Sequence, residues 1–119
     1  MVQKIKKNEN IMKRTGNIMY LGEPREYTIA TGEIKKSWPI MVYWIESVNQ
    51  RNEPDEVKVL GELHEGYDLQ RVRQAIETHE QVEFRLYFDV RPTKSGGYFN
   101  KINVYLRRDR PNTFRHASK

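Results

Sequence analysis

Two stretches near the end of the chain obey a strict two-residue period, and no other feature constrains the fold as tightly. Val82, Phe84, Leu86, Phe88 and Val90 alternate with Glu83, Arg85, Tyr87 and Asp89. Ile102, Val104 and Leu106 then alternate with Lys101, Asn103, Tyr105 and Arg107. Successive side chains of a strand point to opposite faces, so each stretch predicts a strand with one dry face and one wet face. Between them lies RPTKSGG, whose Pro92, Gly96 and Gly97 predict a hairpin loop longer than a tight two-residue turn.

The rest of the chain fits around this hairpin. TGNIMYL, residues 15–21, and VKVLGEL, residues 57–63, are strand-like. WPIMVYWIESV, from Trp38 to Val48, is rich in aromatic and β-branched residues and also reads as a strand. Its apolarity is nearly continuous, so its buried face is ambiguous. Glu46, taken as a solvent marker, places the even positions outward, including Trp38 and Trp44. GEPREYTIATGEIKKS reads mainly as a long mobile connection broken by Gly22, Pro24 and Gly32, with room for a short strand at EYTIA. Asp68 suits a helix N-cap, and Leu69, Val72, Ala75 and Ile76 recur at helical spacing after it. Residues 1–12 and 109–119 lack any period and are expected to be flexible basic tails around one domain, 13–108.

Five half-buried strands with one helix between the third and fourth is the element order of the OB-fold. The expected class is mainly β: a five-stranded OB-fold-like Greek-key barrel. Closure hides strand edges that an open sheet would expose. An open α+β sandwich is the alternative.

Charge narrows the function. The formal net charge is +5, unevenly spread: +4 over residues 1–45, −6 over 46–83 and +7 over 84–119. A basic first and last third around an acidic middle suits one polyanion-binding face and one repelling face. Cysteine is absent, which excludes disulfides and thiolate metal sites and is compatible with a reducing compartment. No apolar run is long enough to span a bilayer, and MVQKIKKNEN leads into no apolar signal segment. The expectation is a cytoplasmic protein with no membrane partner. His64, His79 and His116 show no metal-ligand spacing, and no HExxH or GxSxG occurs. TKSGG lacks the GxxxxGK[ST] order of a phosphate loop. Asp89 is a lone strand acid with Arg85 or Arg91 as its expected partner. Neither an enzyme nor a cofactor is expected.

The stretch VEFRLYFDVRPTKSGGYFNKINVYLRR resembles the last two strands of bacterial single-stranded-DNA-binding proteins. It resembles still more closely a family of short bacterial OB-fold proteins of unknown function related to them. The matching features are a strand ending in Asp-Val-Arg, a small-residue turn, the pair Tyr98 and Phe99, and Asn-x-Ile-x-Val-Tyr. TGNIMYLGEP sits where such proteins open, and the likeness spans residues 14–108. The chain lacks a long Gly/Pro-rich tail ending in acidic residues, so docking through such a tail is not implied.

Single-strand binding needs a positive groove for the backbone and flat side chains for the bases. Lys35 and Lys36 in the first long connection, Lys94 in the last loop, and Arg85, Lys101 and Arg107 on the wet strand faces supply the cations. Tyr87, Tyr105 and Phe99 supply the rings, with Trp44 as a further candidate. Both tryptophans suit core or dimer contacts better than base platforms. The expected partner is single-stranded DNA or RNA, bound with little sequence preference. The alternative is an OB-like protein-interaction or assembly module. Surplus apolar surface on Trp38–Val48 predicts a homo-oligomer, most simply a dimer.

Overall fold

The computed structural model describes residues 11–107, and the two expected tails lie almost wholly outside them. Its elements are β1 (Ile11–Leu21), β2 (Arg25–Thr28), β3 (Ile34–Val48), β4 (Pro54–His64), α1 (Leu69–Thr78), β5 (Gln81–Pro92) and β6 (Tyr98–Leu106). The sheet runs β1-β5-β6-β4-β3, and a β1–β3 pairing closes it into a barrel of five strands. β2 hangs on the outside of β3. The helix therefore follows the third barrel strand, as the element order predicts. Among the described residues all ladders are antiparallel except β4–β6, where Glu62 registers with Asn103. This is the Greek-key barrel of the OB-fold.

Period-two alternation places the core. Val82, Phe84 and Leu86 of β5, with Val104 and Leu106 of β6, are buried. Phe88 and Ile102 are half-buried and pack against that core. Val90, the last apolar residue of the alternation, is 62% exposed. Among the described residues β1 pairs with β5 no farther than Tyr87, so Val90 lies past that ladder.

β3 reverses the expected facing. Ile40, Val42 and Trp44 are buried, and Trp44 packs on Phe84 with ring centroids 5.9 Å apart. Glu46 misleads because its carboxylate is a partner rather than a marker of water. It accepts the Trp44 indole N–H at 2.6 Å and a bidentate pair of Arg14 bonds at 3.0 and 2.9 Å. A break in register between Ile45 and Ser47 lets Glu46 turn in this way. The Arg14 guanidinium also lies 5.9 Å from the Trp44 ring centre. The ion pair thus bridges β1 and β3 just past the end of their ladder at Asn17↔Tyr43.

Two further expectations change. β1 begins at Ile11, so Ile11 and Met12, assigned to the tail, are paired with Tyr87 and Leu86. The connection expected to be mobile is a hairpin in which Arg25–Thr28 pairs with Ile34–Ser37. Every residue of β2 is exposed, so the strand has no wet-and-dry alternation for a sequence to display.

The helix is set as its sequence suggests. The Asp68 carboxylate accepts the Arg71 N–H at 3.3 Å, and Val72 and Ala75 are buried. His79 ends the helix in the left-handed region at φ 57. Asn17 of β1 donates to the carbonyls of His79 and Glu80, both at 3.1 Å, and fastens the helix end to the barrel.

Closure requires close backbone approach at two seams. A Cβ on Gly16 would lie 1.9 Å from the Tyr43 carbonyl oxygen, where β1 meets β3. A Cβ on Gly61 would lie 2.8 Å from the Ile102 carbonyl oxygen, where β4 meets β6. Both obstacles are backbone and cannot swing aside. Gly16→Ala should therefore destabilise the fold by about 1–3 kcal/mol, the range for overpacking, or more where the seam cannot part. Gly97→Ala, whose new methyl would meet only Thr93 Oγ1 at 3.5 Å, should change stability little. Urea denaturation of the two variants beside the parent tests the contrast.

Candidate functional site

The outward positions of β1, β5 and β6 align across the strands. Lys13 registers with Arg85, and Arg85 with Tyr105. One step along, Ile11 registers with Tyr87, and Tyr87 with Asn103. On the other side lies Glu83, paired with Arg107 at 2.9 Å. Together these rows line a groove of about 760 Å3, with Tyr67, Phe84 and Leu106 also on its walls. Tyr67 fixes one wall: its hydroxyl accepts the Leu106 N–H at 3.2 Å.

The groove gathers four expected site residues: Arg85, Tyr87, Tyr105 and Arg107. It adds Lys13 and Ile11, which sequence reasoning missed. The missing signal was the period of β1. Arg14 occupies an inward position and breaks the alternation that would have extended the strand to its true start. Among the described residues neither Lys13 nor Arg85 has a carboxylate within ion-pair distance, while Arg107 is tied to Glu83. Tyr105 is 43% exposed, with ring surface open to a flat ligand.

Lys101 points away from this groove, to Glu62 at 3.9 Å and to the face of Tyr27, 5.9 Å from the ring centre. There the β2–β3 hairpin is latched to the barrel. The Tyr27 hydroxyl meets His64 Nδ1 at 3.1 Å, and His64 Nε2 meets Asn103 Oδ1 at 2.8 Å. Lys35 and Lys36 stand on β3 in this hairpin rather than in a loop. Lys35 reaches Glu33 at 3.4 Å, and the Lys36 backbone N–H donates to Glu65 at 2.8 Å. Lys94 sits in the β5–β6 loop. That is six residues along β5 and its loop from Phe88, or roughly 20 Å at strand rise. Asp89 pairs with Arg91 at 2.7 Å, one of its two expected partners. Trp44 does not belong to the site: it is 3% exposed and fills the core. For Phe99 the backbone alone is described, paired with Arg91.

The outer face of β3 and β4 has a different character. Its outward side chains include Met41, Tyr43, Leu60, Glu56, Lys58 and Glu62, one cation against two acids. The Tyr43 hydroxyl is held above its ordinary pKa, first by loss of solvent and then by its hydrogen bond to Glu56. The positive face is the one on β1, β5 and β6.

No protein-family model and no curated protein matches the sequence. Among solved structures the chain is similar to one described as a Plasmodium falciparum SSB complex with ssDNA. The TM-score is 0.43 and the identity 12%, over 91% of this chain and 100% of that one. Among the described residues no group of three or more His, Cys, Asp or Glu could hold a metal ion. No helix there is long and apolar enough to cross a membrane.

Two carboxylates titrate low. Glu46 is lowered chiefly by its hydrogen bonds from Arg14 and then from Trp44, and Glu80 chiefly by its bond from Arg71. A carboxylate whose pKa is lower folded than unfolded adds stability above its unfolded pKa and loses it as pH falls through the folded one. The melting temperature should therefore drop as pH is taken from 7 to about 3, below the ordinary carboxylate range. Glu46→Gln and Glu80→Gln should melt lower than the parent at pH 7 and converge on it at the acid end. Thermal melts followed by circular dichroism across that range test the sign.

Proposed function

We propose that the chain binds single-stranded nucleic acid, with little sequence preference, along the outer face of β1, β5 and β6. The observation that carries the reading is the transverse row Lys13–Arg85–Tyr105 beside Ile11–Tyr87. It sets two cations that have no carboxylate within ion-pair distance among the described residues next to two tyrosines in one open groove. Cations of this kind neutralise backbone phosphates, and exposed rings accept bases of any identity because every base has a π-face. The protein acts as a binding module rather than a catalyst, in the cytoplasm, and single-stranded DNA is the favoured ligand. Lys101 and the lysines of the β2–β3 hairpin extend the positive surface, and Lys94 lies farther out.

Stacking and charge make separable demands. Tyr87→Ala and Tyr105→Ala should each weaken oligo-dT binding by about 1–3 kcal/mol and leave the salt dependence nearly unchanged. Lys13→Ala and Arg85→Ala should each lower the slope of log affinity against log salt by about 0.7. Arg107→Ala should lower it less, because Glu83 already holds that guanidinium. Duplex DNA should bind more weakly, since its bases are already stacked. Fluorescence titrations with oligo-dT, oligo-rU and duplex at two salt concentrations supply every comparison. A folded Tyr87→Ala/Tyr105→Ala variant with parental affinity for oligo-dT would sink the reading.

A further inference from the structure

The face turned away from the groove carries an apolar row that the binding reading does not use. Tyr20 of β1 registers with Met41 of β3, and Met41 with Leu60 of β4. Tyr20 is 51% exposed and Leu60 is 55% exposed. The Tyr20 ring folds across Gly22 toward Pro39, so that both crowd the space above that glycine and keep the surface low. Ile45, 50% exposed, continues the apolar surface along β3. Three large side chains in line across three strands form a patch of the sort that marks an interface.

The charges around the row say what would cover it. Lys58 and Glu62 stand on the same outward face of β4, two residues to either side of Leu60, each about 7 Å away along the strand. A two-fold axis in the plane of the interface, crossing the strands at Leu60, would lay a second copy face to face with strands antiparallel. Leu60 would then meet Leu60 of the second copy. Lys58 would face the second copy's Glu62, and Glu62 its Lys58. The face is thus complementary to itself in its order of charge and apolar side chain, as an isologous contact demands. Polyanions are a poor match, because Glu56 and Glu62 outnumber Lys58 there. Glu62 also lies 3.9 Å from Lys101 of its own chain, so the second copy's Lys58 would share that carboxylate.

We propose that the outer β1–β3–β4 face, centred on Leu60, binds a second copy of this chain in a two-fold dimer. The dimer carries its two grooves on the sides away from the interface. The contact does not depend on the nucleic-acid reading and is tested without nucleic acid.

Sedimentation equilibrium of the whole chain should give twice the 14.3 kDa subunit mass at micromolar concentration. Leu60→Glu should give the monomer mass with an unchanged circular dichroism spectrum. Lys58→Glu alone and Glu62→Lys alone should each raise the dimer dissociation constant about tenfold, as like charges meet twice per dimer. The double swap Lys58→Glu/Glu62→Lys should restore it, because each new charge then meets its opposite. A parent that stays monomeric overturns the proposal, and so do single swaps that leave the dimer untouched or a double swap that fails to restore it. Loss of oligo-dT binding in Leu60→Glu with no change of mass would overturn it too, and would move the nucleic-acid site to this face.

Discussion

Everything in this barrel depends on how closely two pairs of strands can approach. Five strands close only if β1 reaches β3 and β4 reaches β6, and at each seam the chain spends a glycine. Gly16 lets the Tyr43 carbonyl sit where a methyl group would otherwise be, and Gly61 does the same for the Ile102 carbonyl. Small residues at such points are where sheets bend and backbones meet. With the seams shut, the interior holds Ile40, Val42, Trp44, Phe84 and Leu86, all buried. The same sheet sets β1 beside β5. That is what puts Lys13 next to Arg85, two residues drawn from opposite ends of the chain.

The division of the outer surface follows from the same geometry. A closed barrel has no spare edges, so its contacts must come from strand faces or from hairpins that leave it. One face collects Lys13, Arg85, Tyr87 and Tyr105; the other collects Tyr20, Met41 and Leu60 among acids. The acidic middle third of the sequence contributes the second face through β4, and the basic last third contributes the first through β5 and β6. Between them, Tyr27, His64 and Asn103 latch a hairpin that has almost no apolar hold of its own. A polar latch of that sort positions a segment without fusing it to the core.

Sequence alone revealed the parts whose side chains alternate cleanly. β5, β6 and α1 were legible because each has one wet and one dry side, and the barrel followed from their order. Legibility failed where a charge faces inward or where a strand is wet on both sides. Glu46 pointed to the wrong face of β3 because an acid was taken to mean water, whereas the carboxylate neutralises Arg14 and accepts from Trp44. Arg14 hid the first turns of β1 for the same reason, and Lys13 with them. β2 gave no alternation to read. The groove was half legible: its β5 and β6 residues lie on the best-patterned strands, while its β1 wall arrives only through the pairing of β1 with β5.

The β4–β6 seam has a consequence for how the molecule assembles itself. It is the one parallel ladder among the described residues, registered at Glu62 and Asn103, and the helix and all of β5 intervene between its two strands. The β3–β4 and β5–β6 hairpins can form early from near neighbours. The parallel seam must wait until both exist and the helix has turned the chain around. Contacts so distant in sequence are reached slowly, so folding belongs to the millisecond-to-second regime of nonlocal β proteins rather than to that of helical bundles. Among the described residues that seam holds one registered pair, Glu62 with Asn103, so of the barrel's seams it has the shortest ladder to keep it shut.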